Sequence, residues 1–187
     1  MFLIREPGQD IVQAFLDGQR DRPFSCADIG ATRNGAPAGF NVDHNRARLG
    51  ETRATFERAK IAVRRWKMFA MPWISLYSPG AVIEVGSTVA VMVSHLGFYS
   101  LNAARIVYVI DEPDRFGFAY GTLPDHSEIG EERFLVEMLP DGSIWYDLFA
   151  FSRPRGLAKL AYPLARRLQR RFAVDSMRAM QTAVSAG

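Results

Sequence analysis

FGFAYGTLPDHSEIGEERFLVEMLPDGSIWYDLFAF, residues 116–151, decides the fold. Three runs alternate with the period of two that half-buried strands require: 116–122, 132–138 and 143–151. Leu123–Gly130 reads as a turn between the first two runs, and Pro140-Asp141-Gly142 as a tight hairpin connection between the last two. In the first run Phe116, Phe118 and Tyr120 point one way, while Gly117, Ala119 and Gly121 point the other. A strand face without side-chain bulk admits another backbone, a helix or a ligand. In the second run Phe134, Val136 and Met138 share a face. In the third, Trp145, Phe149 and Phe151 oppose Ile144, Tyr146 and Leu148. Ser152-Arg153-Pro154 then opens a long helical region reaching about Val184, with an apolar stripe of Leu157, Ala161, Leu164, Leu168 and Phe172. Pro163 kinks this helix or starts a second segment. A curved meander holding a C-terminal helix, with a cavity between them, is the simplest arrangement that buries both apolar surfaces.

Working outward, Ser87–His95 alternates with Val89, Val91, Val93 and His95 on one face. RIVYVI, 105–110, is apolar after its first residue and suits a strand covered on both sides. Asp111–Asp114 is a turn, Pro79-Gly80 another, and AVIEV, 81–85, a short strand. Glu51–Phe69 is an amphipathic helix ended by Pro72: Phe56, Ala59, Ala62, Val63, Trp66 and Phe69 lie on one side, and Arg53, Glu57, Lys60, Arg64 and Lys67 on the other. Residues 40–50 alternate weakly, as a strand leading into that helix. Residues 9–19 are helical, and the next twenty are irregular, punctuated by Pro23, Gly30, Gly35, Pro37 and Gly39. Strands bracketed by helices give an α+β layer architecture in a single domain over 1–187, with 1–40 an N-terminal helix and irregular segment.

The 187 residues carry a net charge of only +3, so bulk electrostatics does not indicate nucleic acid. The one cysteine, Cys26, excludes an intrachain disulfide and fits a reducing compartment. MFLIREPGQD lacks the basic and apolar regions of a signal peptide, and the uncharged stretch between Glu84 and Arg105 alternates like two buried strands and a turn. The expected location is cytoplasmic. The final helix is basic, with Arg166, Arg167, Arg170 and Arg171 clustered. However, Asp111–Asp147 supplies ten acids against two arginines, so a solvated face or intramolecular pairing is expected, with at most a peripheral contact to anionic lipid. Nothing in the pattern specifies an oligomer.

The run RIVYVIDEPDRFGFAYGTLPDHSEIGEERF resembles the signature of an uncharacterised bacterial and plant family, domain of unknown function nineteen-ninety. DHNRARLG, FERAKIAVRRWKMF, FSRP and YPLARRLQRRFAVDS resemble its other segments, so the likeness extends over most of residues 40–180. That family in turn resembles the START-like, or polyketide-cyclase-like, superfamily. The resemblance implies a helix-grip fold, a curved antiparallel sheet around a long C-terminal helix. It also implies an apolar cavity of the kind that holds lipids, sterols or aromatic metabolites, on which some members act as cyclases or dehydratases.

The expected partner is therefore an apolar or aromatic small molecule, with no cofactor and no metal. The candidate site is placed where the bare Gly117–Ala119–Gly121 face meets the long helix, that face being filled either by the helix or by a ligand. The loop Thr122–Arg133 would form its rim, with Thr122, His126, Glu128, Glu131, Glu132 and Arg133 as its polar groups. His-x-Glu matches no metal motif, and an exposed loop of solvated acids is the alternative. Tyr108, Tyr120 and Tyr146, with Trp66, Trp73 and Trp145, are amphipathic candidates for the lining, or else simply core. His95 is either a ligand-orienting group or a hydrogen-bonded core residue, and His44 either part of an anion-binding edge or a surface residue. Enzymatic acid–base chemistry would use His95 or His126 with Glu128, Glu131 or Tyr120. G-x-S-x-G, H-E-x-x-H, C-x-x-C and G-x-G-x-x-G are all absent, which disfavours common hydrolases, zinc sites and dinucleotide binding. A third reading is an interaction protein that uses the basic helix.

Overall fold

The computed structural model describes residues 1–77, 82–95, 97–155 and 162–185. Eight antiparallel strands form one curled sheet. They are β1 Phe2–Leu3, β2 Asn41–Glu51, β3 Ile74–Tyr77, β4 Thr88–His95, β5 Phe98–Glu112, β6 Arg115–Thr122, β7 Glu128–Met138 and β8 Ser143–Pro154. The order is β2-β8-β7-β6-β5-β4-β3, and β1 pairs with the start of β5. Three helices complete the chain: α1 Gln9–Gln19, α2 Arg53–Arg64 and α3 Tyr162–Ser185. The α+β helix-grip expectation holds, with more strands than the five or so that the alternation marks.

The concave face of the sheet packs against α2 and α3. Phe116, Phe118, Tyr120, Phe134, Val136, Ile144, Tyr146 and Leu148 meet Phe56, Ala59 and Val63 of α2 and Ala173, Met180 and Val184 of α3. Phe56, Phe118 and Phe134 are fully buried, each stabilising by about 1.5–3 kcal/mol through burial alone. The α2 stripe is the expected one, but the helix stops earlier than Phe69. Trp66 takes a left-handed backbone, φ 55°, and a short 3-10 turn follows over Lys67–Phe69. This break swings Met68 and Phe69 into the core. Pro163 occupies the second position of α3. No intrahelical amide bond exists there to lose, so it starts the helix instead of kinking it.

The convex face is covered as well. Helix α1 sets Val12, Phe15 and Leu16 on Ala90, Met92, Leu101 and Ala103. The irregular residues 20–35 run as a strap over the middle of the sheet. Ser25 N–H donates to the Thr122 carbonyl at 2.9 Å, and Arg105 donates to the carbonyls of Gln19, Arg20 and Arg22. The run 106–110 lacks alternation because β5 carries a bulge between Ile106 and Tyr108. The extra residue reverses the alternation, so Ile106 joins the concave core while Tyr108 and Ile110 join a cluster on the convex side.

Two sequence expectations are corrected. Ser152-Arg153-Pro154 ends β8 and does not open the final helix. Residues 82–85 form no strand, and Ala81 and the Pro79-Gly80 turn lie outside the described residues. So do Leu157 and Ala161 of the proposed stripe. Strand β3 instead runs over Ile74–Tyr77. Among the described residues, no helix is long and apolar enough to cross a membrane.

Candidate functional site

A cavity of about 460 Å³ lies between the concave face and α3. Its apolar walls come from Phe69, Trp73, Val91, Val93, Leu148, Leu168 and Phe172. Register explains what is polar in it. Cross-strand pairing sets Asp43 opposite Ala150, Ala150 opposite Glu132, and Glu132 opposite Tyr120, so one row crosses β2, β8, β7 and β6 on the same face. Because Phe134 and Val136 point into the core, the alternation of β7 carries Glu132 and Glu128 onto that face.

These groups are bonded to each other and to α3. The Tyr120 hydroxyl donates to Glu132 Oε2 at 2.7 Å. Arg166 of α3 holds Asp43 with two bonds, 2.5 and 2.8 Å. Gln169 donates to Glu128 and, at 3.0 Å, to Ser152 Oγ, while Tyr162 donates to Asn41 at 3.0 Å. A polar clasp therefore ties the start of α3 to the sheet, whereas the end of α3 is held by Met180 and Val184 in the core.

Burial of these carboxyls shapes their protonation. Desolvation lifts Glu132 from 4.5 to about 7; the Tyr120 hydrogen bond opposes the rise, and the nearby charges of Glu128 and Asp43 add to it. Glu128 is raised by burial, against its bond from Gln169 and the charge of Arg166. Burial and the Glu132 charge push the Tyr120 phenol well above its ordinary value, so it stays a donor. Burial lowers His126 to about 4, helped by the Met1 ammonium. Its Nδ1 accepts the Glu128 N–H at 3.0 Å, as a neutral ring can. The acids of this loop are thus not simply solvated.

Of the residues singled out from sequence, Trp73, His95, Tyr120, Thr122, His126, Glu128 and Glu132 border the cavity together. Glu131 also borders it, but its carboxylate turns to the convex side. There it accepts from the Gly30 amide, the Thr32 amide at 3.0 Å and the Thr32 hydroxyl. The other calls are corrected by position. Gly117, Ala119 and Gly121 face away from α3. A β-carbon at Gly121 would strike Ile29 and Phe24 of the strap, and one at Gly117 would strike the Phe134 carbonyl. The bare face is filled by neither helix nor ligand; the strap and the neighbouring strand occupy it. The bulge takes Tyr108 to the same convex side, where it bonds Thr32 at 2.7 Å under the Arg33 guanidinium. Arg133, next in alternation after Glu132, also points outward, to the Thr32 carbonyl and to Asp147. Trp66 and Tyr146 sit in the packed core, Tyr146 bonded to Ser176 of α3 at 2.9 Å. His44 is exposed on the convex side against Asp147 at 2.7 Å.

Asp43 and Gln169 are the functional candidates that the sequence reading missed, and Glu128 and Glu132 were placed at the rim and not in the lining. Glu132 was readable from its spacing to Phe134 and Val136. Gln169 falls one residue from the apolar stripe position Leu168 and carries no signal of its own. Among the described residues, no cluster of histidine, cysteine or carboxylate side chains has the arrangement of a metal site.

Sheet and clasped helix define an α+β helix-grip fold. The fold is similar to that of the Zhui aromatase/cyclase from a Streptomyces species, with TM-score 0.52 at 13% identity over 78% of this chain and 94% of that one. The chain belongs to the family described as Domain of unknown function (DUF1990), whose model matches residues 25–179. It is similar to the UPF0548 protein of Deinococcus radiodurans, 40% identical over 92% of this chain and 93% of the relative. The UPF0548 protein of Dictyostelium discoideum is 33% identical over 98% and 96%.

Proposed function

We propose that this domain binds an apolar or aromatic small molecule between the concave sheet face and α3. The observation that carries the reading is the cavity itself. At about 460 Å³ it has the size of a small-ligand pocket, with apolar and aromatic walls and a few polar groups gathered in one row. Calorimetric titration with naphthylethanol, a neutral aromatic alcohol, tests it. Saturable binding is expected, and Leu168→Trp, which fills the cavity from α3, abolishes it without lowering the melting temperature. Binding that survives Leu168→Trp, or no binding of the alcohol or of its charged analogues, overturns the reading.

A second reading, acid–base turnover of the bound molecule, draws on Glu132. A carboxyl lifted to about 7 and bonded to Tyr120 exchanges a proton near neutrality. It predicts that Glu132→Gln abolishes turnover of a bound substrate while leaving its binding. A variant that still turns over at the parental rate sinks it.

A further inference from the structure

We propose that the molecule held in the cavity is a lipophilic amine, an apolar or aromatic body ending in a protonated nitrogen that meets Glu132. This rests on the cavity reading above and specifies the ligand class. The carboxylates that border the cavity near its polar row come from two strands, Asp43 of β2 and Glu128 and Glu132 of β7. Two of the cations near it are already committed. Arg166 is held by Asp43 through two bonds, and the Met1 ammonium donates to the carbonyls of Leu101 and Asp125. Arg170 borders the cavity but is exposed to solvent.

Glu132 differs from its neighbours. Asp43 is matched by Arg166, and Glu128 by the Gln169 amide together with the Arg166 charge and the Ser152 hydroxyl. Glu132 receives one hydroxyl, from Tyr120, at Oε2; among the described residues its other oxygen has no donor. A wholly apolar ligand would strip water from that oxygen and return nothing. A carboxylate or phosphate would be placed beside three acids. An ammonium supplies the missing donor and offsets the mutual repulsion of the carboxylates.

The walls favour the same group. Phe69, Trp73, Tyr120 and Phe172 all border the cavity. The Phe69 ring lies 6.4 Å from that of Tyr120 and 5.4 Å from that of Phe172, centre to centre. Aromatic faces next to a carboxylate attract a cation and also cover the hydrocarbon attached to it.

The test compares three probes with one aromatic body: naphthylethylamine, naphthylethanol and naphthylacetate, titrated calorimetrically into the full chain at about pH 8, where Glu132 is ionised. The amine is expected to bind about tenfold tighter than the alcohol, the worth of one charge-assisted hydrogen bond, and the acetate more weakly than either. Glu132→Gln should bring the amine to within about threefold of the alcohol, and retained binding of the alcohol by the variant reports an intact cavity. Glu128→Gln, which removes a neighbouring charge, should at least halve the advantage of the amine. An acetate that binds as tightly as the amine, or an amine advantage untouched by both substitutions, overturns the proposal. Equal binding of all three probes refutes only this inference; no binding of any refutes the cavity reading along with it.

Discussion

Replacing Glu132 by glutamine should make the protein more stable, and only at neutral to alkaline pH. In the folded chain this carboxyl titrates at about 7, against 4.5 ordinarily, chiefly because it is buried. Below 4.5 it is protonated in both folded and unfolded chains and makes no difference between them. From 4.5 to 7 the folded chain keeps a proton that the unfolded chain has lost, so stability falls as pH rises and the loss is complete above 7. At 1.36 kcal/mol per pKa unit the full loss is about 3 kcal/mol, and partial solvation of the half-buried group trims it to about 2. The groups around it are Tyr120 on β6, Glu128 on β7, Asp43 on β2, Tyr146 on β8, and Arg166 and Gln169 on α3. All remain in Glu132→Gln, and glutamine can still accept from the Tyr120 hydroxyl, so the difference between variant and parent isolates this one titration. Urea unfolding of both proteins should show the variant ahead by about 2 kcal/mol at about pH 8 and equal at about pH 4, with unchanged slopes. A pH-independent difference, or a parent as stable as the variant at the higher pH, refutes the argument.

Other substitutions test other parts of the structure. His126, lowered from 6.5 to about 4, gives the opposite slope: its contribution is complete above 6.5 and is lost as pH falls toward 4. His126→Asn should therefore flatten the acid side of the stability profile measured by urea unfolding. Gly117→Ala puts a methyl group 2.1 Å from the Phe134 carbonyl oxygen, backbone that cannot yield, and should cost about 3 kcal/mol or more. Gly121→Ala meets the ends of Ile29 and Phe24 at 2.7 and 3.0 Å, which can turn aside, for about 1 kcal/mol; thermal melts will rank the pair. Glu131→Ala leaves the Gly30 and Thr32 amides without their acceptor. It should cost about 3 kcal/mol and open residues 20–35 to limited proteolysis before the rest of the chain.

The strands of 116–151 were legible because each run alternates strictly. Which face held the cavity was not, because both faces are covered and alternation alone does not distinguish a cavity from a packed cover. The strap explains the main error. Phe24, Ile29 and Thr32 are scattered among glycines and prolines with no period, so nothing in 20–35 announces that it fills the space over Gly121. Tyr108 was misplaced for a different reason. A one-residue bulge inverts inside and outside, and an all-apolar run hides it. Glu132 was within reach, since the parity that puts Phe134 in the core puts Glu132 beside it and sends Glu131 and Arg133 outward. Asp43 follows the same rule on β2, where His44, Arg46 and Arg48 alternate with it. Its partner Arg166 lies 123 residues away, a distance over which one sequence gives no pairing signal.

The strap has a consequence for how such a domain can diversify. Glu131, Thr32, Tyr108, Arg133 and Asp147 fasten the convex side without contributing a side-chain contact to the concave one. The fastening of the strap and the lining of the cavity therefore draw on separate sets of side chains, interleaved along the same strands. A lineage can exchange the concave lining one residue at a time, each change invisible to the fastening on the other side. Two members can share fold, strap and clasp and still select different molecules, and the odd and even positions of β7 then evolve at different rates.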